Sequence, residues 1–437
     1  VRPRLATALE GLALALACLT LLWGPLAQGS TFGWGMSGLT ILGCLTFALT
    51  LLALGMRGQV RVTHPWWVGA ALAFLAWVWA STGWAAYQWE AWRWAGVWTA
   101  VLGTALSLHL LARTRRSQSA VLTVSLLAAA ASVTVALLQE RGITLPGYLA
   151  LPGTPEKYLT GPYFHPSHFS GYLIVPAALV STVLLCTRPG WLTLPLLALA
   201  VGIQYVNLKT DGSSIPAVML AALIPVVVWA WTKRAWLGAV LTLLALAAGG
   251  SGLYLLATPQ GQALFAQHKA ELGIHSQNLE GFLDTRRAIH RFPLEMWRDH
   301  PVTGTGVAQF PSQFFEYRRP VAEVTGGADR VFVNYAHSDY LQLLAELGTV
   351  GLALFLLMLL FSVARRPRGL AALAWPAMLA TFLCTGLYDS HLTAIPGTML
   401  AALALSGLPA LPRQAAGKEE PELEGEAPQP PAELVRA

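Results

Sequence analysis

Charge is what this chain most lacks. Lys and Arg number 28 and Asp and Glu 22 in 437 residues, or 11%, where a soluble domain carries roughly one-quarter. That scarcity excludes an ordinary soluble globular protein. Cysteine is scarce as well. Cys18, Cys44, Cys186 and Cys384 all fall in apolar stretches, with neither metal-ligand spacing nor a disulfide framework, so they read as small buried hydrophobes. An internal repeat is also missing. What is abundant is apolar: hydrophobic types make up 55% of the chain. Apolar runs of about 20 residues recur throughout, the length that crosses a bilayer as helix.

The runs predict an all-α polytopic membrane protein of about 12 transmembrane helices, at 5–27, 33–56, 66–83, 94–112, 119–138, 169–187, 190–208, 214–232, 235–257, 339–363, 369–388 and 392–411. The first run is too long for a signal peptide and lacks a small-residue cleavage site before a soluble domain. Lys and Arg in the short connections and tail divide 16 to 4 between the two sides. The richer side is cytoplasmic, and an even number of spans puts both termini there. The net charge of +6 is then mostly a topology signal, and no nucleic-acid partner is expected. Trp66, Trp67, Trp84, Trp89, Trp92 and Trp94 cluster at segment ends as an interfacial belt.

Two regions break the apolar pattern, giving 1–257 as helices one to nine, 258–338 as a large outer loop, 339–411 as helices ten to twelve, and 412–437 as a Glu/Pro-rich disordered cytoplasmic tail. The loop balances 8 basic against 8 acidic residues. Its stretch 284–300 has helical character, ended by Pro301, Gly304 and Gly306.

The polar residues that could do chemistry collect on the outer side. They are Thr160 to His168 (including Tyr163, His165, Ser167 and His168), Lys209 to Ser214, Arg286-Arg287 with His290 and Arg291, His337 to Tyr340, and Tyr388 to His391. Arg, Lys and His without Cys and with few acids suit an anion such as pyrophosphate better than a metal, and no metal or cofactor is expected. Imidazole suits the deprotonation of a hydroxyl near neutral pH. Each cluster also has a structural reading. Arg286 and Arg287 fit solvated charges on a surface helix, His337 a residue near a helix start capped by Ser338, and Asp211-Gly212 a turn. Glu346, deep in the tenth helix, requires a buried partner or a proton.

The stretch His337 to Gly351 resembles the O-antigen ligase superfamily, which also holds O-antigen polymerases and protein O-oligosaccharyltransferases. Arg286 with Asp299-His300-Pro301, Gly304-Thr305-Gly306 and Phe310 resembles the family's Arg, P-x-x-G-x-G and Phe pattern. Phe164 to Leu173 is similar to a further family segment. The resemblance implies a GT-C-like glycosyltransferase of the bacterial inner membrane, with its active site on the periplasmic face. Its donor would be an undecaprenyl-pyrophosphate-linked glycan, and its acceptor a lipid-linked sugar or another envelope molecule. It also implies His337 as catalytic residue and Arg286 on the pyrophosphate, with Arg287, Lys209, His165, His168, Tyr163, Ser167 and Ser214 as candidate binding residues. Two positions depart from the family. Its usual Ser-Arg-Gly before the eighth helix is Ser213-Ser214-Ile215, so that Lys209 reaches the same site, Arg287 compensates, or the activity is altered. The Asn of the third segment is Ser167. A transporter or lipid flippase is the alternative from another class. It predicts midplane ionisable residues and related halves, whereas Glu346 stands nearly alone and only the second half holds the long loop.

Overall fold

A computed structural model describes residues 2–58, 60, 62–143, 145–148, 158–210, 214–260, 263, 279–317, 333–364 and 371–409. The tail 412–437, the turn Asp211-Gly212-Ser213 and the loop stretches 264–278 and 318–332 lie outside the described residues. Among those described, regular structure is all helical: α1 (Arg2–Leu26), α2 (Gly33–Arg57), α3 (Pro65–Ser81), α4 (Gln88–Leu111), α5 (Arg115–Glu140), α6 (Pro166–Cys186), α7 (Thr193–Leu208), α8 (Ile215–Lys233), α9 (Ala235–Ala257), α10 (Leu279–Asp299), α11 (Phe310–Tyr317), α12 (Asp339–Ala364), α13 (Ala371–Thr385) and α14 (Pro396–Ser406). The chain is an all-α polytopic membrane protein.

Each of the twelve expected apolar stretches is helical. Seven of the helices (α1, α2, α4, α5, α6, α8 and α12) are long and apolar enough to cross a bilayer. Others are apolar but shorter, α3 with 17 residues, α13 with 15 and α14 with 11. The shortening of α14 has a local cause. Pro396 is pre-set for the first helical turn and disfavours helix in the residue before it, so α14 starts there; residues 386–395 form an irregular linker between α13 and α14. Most of α4 and α6 is buried. Around them α2 packs on α1 and α4, α8 and α13 on α6, α14 on α4, and α12 on α3. Hydroxyls inside the bundle can return to the carbonyl one turn back, as Thr104 Oγ1 does to Ala100 O (2.7 Å) and Thr182 Oγ1 to Ala178 O (2.8 Å), which satisfies those protons without water.

The long loop has its own small core. Ile289, Phe292 and Met296 of α10 meet Phe310 and Phe314 of α11, together with Val333, Ala336 and Ala345. The loop docks onto a break in α12. Gly348 has φ 67° and ψ −171° inside that helix. Such a break strips backbone groups of their helical partners, which costs several kcal/mol each away from water. The motif after α10 replaces them. Thr305 N donates to Ala345 O (2.9 Å) and Gly306 N to Glu346 O (2.8 Å), while Thr349 N donates to Pro301 O (2.9 Å). Trp77 Nε1 donates to Leu347 O at 2.9 Å. The Glu346 carboxyl accepts from Ala308 N (2.9 Å), Phe310 N (3.2 Å) and Gln342 Nε2 (2.6 Å). It thus finds buried partners and serves as a clamp on the loop.

Gly348 cannot be exchanged. Its φ/ψ pair belongs to glycine, and a Cβ would overlap Val302 O. Gly348→Ala should lose about 1–3 kcal/mol from backbone strain alone, before the overlap is counted. A lower unfolding temperature of the detergent-purified protein is the expected result, and an unchanged one contradicts the clip.

Candidate active site

Four chain segments converge at one end of the bundle: the N-terminus of α6, the N-terminus of α8, residues 333–339 leading into α12, and the 386–395 linker. Helix α10 lies over them. Asp339, the first residue of α12, fastens the linker. Its Oδ1 accepts from Leu392 N (3.0 Å) and Thr393 Oγ1 (2.7 Å), and its backbone N donates to Gly386 O (2.9 Å). Ser338 Oγ donates to the same carbonyl at 2.8 Å. Helix α10 is tied by two bonds: Arg286 Nε donates to Tyr388 O (2.8 Å) and His290 Nε2 to His337 O (3.1 Å).

His337 has φ +50°, a left-handed conformation that non-glycine residues adopt rarely, and then often at functional positions. Its imidazole, 21% exposed, lies with Nδ1 3.5 Å from Asp389 Oδ1. The Tyr335 ring packs beside it at 4.4 Å between centroids. Asp389 is buried and faces a second imidazole, with Oδ2 3.7 Å from His391 Nε2. Ser390 N donates to its Oδ1 at 2.9 Å. His391 is fully buried and pairs with Ser214 Oγ at 3.1 Å. On the α6 side His165 caps the helix, its Nδ1 accepting from Ser167 N (3.2 Å) and lying 2.6 Å from Ser167 Oγ. His168 Nε2 and Tyr335 OH share a 2.8 Å hydrogen bond.

The electrostatics follow from burial around one carboxylate. Burial by itself would raise Asp389, but the neighbouring charges of His391, His337 and Arg286 outweigh it and hold the carboxyl well below its usual range. Burial pushes His165, His290 and His391 down, each more than its neighbours restore. Burial also raises Tyr335, so its hydroxyl keeps its proton. Among the described residues no group of three or more His, Cys, Asp or Glu is placed to hold a metal ion.

Six of the residues picked out from sequence therefore stand together: His337, Arg286, His165, His168, Ser167 and Ser214. Arg287 follows Arg286 on α10 and is exposed. Lys209, at the end of α7, directs Nζ to Glu140 Oε1 (3.6 Å) and over the Tyr205 ring. Tyr163 is fully buried between Tyr172 and Phe169, with ring centroids at 5.5 and 5.9 Å. Its ring lies against Gly29, so it packs behind the site. Sequence reasoning listed Tyr388 to His391 as a cluster but gave Asp389 and His391 no role, and it missed Tyr335. Only the shared outer side of these clusters hinted at the pairing.

Residues 173–356 match the model of the O-antigen ligase family. The matched stretch contains Ser214, Arg286 and His337, and it stops before Asp389 and His391. Comparison with curated proteins found no match.

Four depressed histidines, His165, His290, His391 and His168, the last brought by burial to about 3, make stability depend on pH. Their ordinary value is 6.5 and the folded value lies below it. Below about pH 6.5 the unfolded chain therefore binds protons that the folded chain refuses. Stability is fully present above that pH and is lost as pH falls through the folded values. The unfolding temperature should drop between pH 7 and 5, and His165→Asn should flatten that slope; a slope identical to wild type would contradict the assignment for His165.

Proposed function

We propose, for a chain whose residues 173–356 match the O-antigen ligase family model, that it moves a glycan from a lipid pyrophosphate carrier to an acceptor hydroxyl. His337 is the general base and Arg286 receives the pyrophosphate. The family supports a membrane glycosyltransferase of O-antigen ligase or polymerase type. The observation that carries the residue roles is the His337–Asp389 pair at 3.5 Å beside a guanidinium fixed by Tyr388 O.

The carboxylate at Nδ1 favours the tautomer with its proton there and leaves the Nε2 lone pair available. Nε2 takes the acceptor's proton as the acceptor oxygen bonds to the anomeric carbon. The bond from that carbon to the pyrophosphate oxygen breaks, and its electron pair stays with the leaving group. Two charges grow in this step. The imidazolium forms beside ionised Asp389, and the leaving oxygen's charge grows beside Arg286, so both residues favour the transition state over the ground state. His165, His168 and Ser167 line the α6 side, where they would orient phosphate or acceptor. Arg287 adds positive charge at the exposed rim. Lys209 is left out of the site because its ammonium faces Glu140.

Topology supports the periplasmic face of the bacterial inner membrane. With both termini cytoplasmic, the starts of α6, α8, α12 and α14 and the end of α13 all fall on the outer side, and these are the ends that build the site. Placement there lets the carrier's lipid remain in the bilayer while its pyrophosphate meets Arg286. The transporter reading is weakened further, because Glu346, its one candidate midplane carboxyl, is occupied by backbone donors of the loop.

In a deletion strain complemented with variants, His337→Ala should abolish glycan transfer at normal protein level, a fall of about 10²-fold or more for loss of a general base. Arg286→Ala should lose comparable activity, and Arg286→Lys should restore only part of it, because lysine lacks the planar fork. A fully active His337→Ala would sink the mechanism. A gel of the strain's glycans separates the two chemistries: loss of a ligase leaves polymer on its carrier, and loss of a polymerase leaves single repeat units.

A further inference from the structure

A left-handed residue other than glycine persists only where its surroundings over-determine it. His337, at φ +50°, is such a residue, and two side chains grip the backbone on either side of it. After it, the carbonyl of His337 accepts from His290 Nε2 at 3.1 Å. A carbonyl only accepts, so His290 must carry a proton on that nitrogen. Before it, Ala336 N donates to Gln342 Oε1 at 2.6 Å. The other end of the Gln342 amide is fixed as well, with Nε2 donating to Glu346 Oε1 at 2.6 Å. Ala336, Gln342 and Glu346 are all buried, so water does not compete for these bonds. Both grips lead back to the long loop. His290 lies on α10 one turn beyond Arg286, at the spacing that puts two side chains on one helix face. Glu346 is held in turn by Ala308 N and Phe310 N.

We propose that His290 and Gln342 are positioning residues: they hold the chain on both sides of His337 in its left-handed turn and so fix where the imidazole points. Released at either side, residue 337 relaxes toward negative φ, where a side chain meets less hindrance. The backbone angles set the direction of the Cα–Cβ bond, so that relaxation swings the ring away from Asp389, which it now faces at 3.5 Å. A misplacement of about 1 Å is enough to cost a reaction about 10²-fold. The long loop thereby has two tasks. Helix α10 presents Arg286 to the pyrophosphate and, one turn on, His290 to the backbone of the base. The start of α11 reaches the same backbone through Glu346 and Gln342. The inference rests on the proposed role of His337 as base, and it concerns what aims that base.

The hold and its consequence are read separately. Hydrogen exchange of the full-length protein in detergent, with mass spectrometry of the peptide covering 333–341, reads the hold without any glycan. His290→Leu removes the N–H and should speed exchange there by about tenfold, the worth of one hydrogen bond. Gln342→Leu frees the Ala336 amide and should do the same. His290→Gln keeps an N–H donor and should restore protection. In the complemented deletion strain both Leu variants should transfer glycan about tenfold more slowly or worse at normal protein level, and His290→Gln should stay near wild type. In membranes supplied with the strain's own carrier-linked glycan, His290→Leu should lower kcat and leave the donor KM unchanged, because Arg286 is intact. His290 is only partly buried, so its variants carry the test if Gln342→Leu fails to fold, as judged by size-exclusion profile. Unchanged exchange in His290→Leu overturns the proposal, as does equal impairment of the Leu and Gln variants at 290, or a loss expressed wholly in the donor KM. Faster exchange with undiminished transfer, while His337→Ala is inactive, overturns it too. A fully active His337→Ala removes the base reading and leaves the exchange result standing, so the two failures are distinguishable.

Discussion

The break in α12 at Gly348 is the constraint on which the rest of the outer face depends. A helix interrupted away from water must recover every stripped carbonyl and N–H. Here the recovery comes from the short segment 301–306, laid along the break, and from Trp77 on Leu347 O, with Glu346 reaching over to Ala308 and Phe310. That segment directly follows α10 and leads into α11. Fixing it fixes the C-terminal end of α10, and the apolar contacts of Phe292 and Met296 with α11 settle the helix's roll. Only then does Arg286 reach Tyr388 O. The guanidinium's place is set from the far end of its own helix.

A second fastening runs through Asp339. Its side chain holds the linker at Leu392 and Thr393, and its backbone holds Gly386 and Asp389. The start of α12 and the linker between α13 and α14 therefore move as one piece. His337 sits immediately before one half of that piece, and Asp389 with His391 sits in the other. His337 and Asp389 are kept in register by backbone and carboxyl bonds that involve neither of their own side chains. Such support is what holds reacting groups to the tolerance catalysis requires.

The helices were legible because lipid leaves the chain little choice: an apolar run of spanning length must be helical. All twelve runs form helix, and the departures lie where another rule intervened, as Pro396 does at the start of α14. His337 and Arg286 were legible through the resemblance to family motifs, His337 opening the stretch that runs to Gly348 and Gly351 and Arg286 preceding Pro301, Gly304 and Gly306. Asp389 and His391 were not. Their place in the site arises only when a linker folds back on a segment far away in the chain, and nothing in their own neighbourhood marks it. Tyr163 shows the converse. It lies in a polar, site-like stretch, yet its ring is buried against Gly29 and the α6 aromatics, because proximity in sequence to a capping histidine says nothing about which way an aromatic turns. Glu346 was expected to need a partner and has three, but that two of them are backbone donors of the loop depends on Gly348, whose break is invisible to an apolar pattern that continues through it.

Ser214 bears on how a pyrophosphate would be neutralised, because it stands where the resembling family carries an arginine. Its hydroxyl is buried against His391 and adds no charge. On the proposed reading the site must draw its positive potential from elsewhere. Arg286 supplies one fixed charge. The N-termini of α6, α8, α12 and α14 converge on the same face, and each contributes a partial positive charge within its first turn. Two carboxyls of the site would oppose an anion. Asp389 is matched by His337, His391 and Arg286, and Asp339 is engaged by Leu392 and Thr393. With its acids engaged in this way and its helix starts aligned, the outer end of the bundle favours an anion even with one arginine fewer. The loss of that arginine then falls on geometry, since backbone dipoles cannot grip a phosphate in the bidentate way of a guanidinium. On that reading, a looser hold on the carrier's pyrophosphate is the physical consequence.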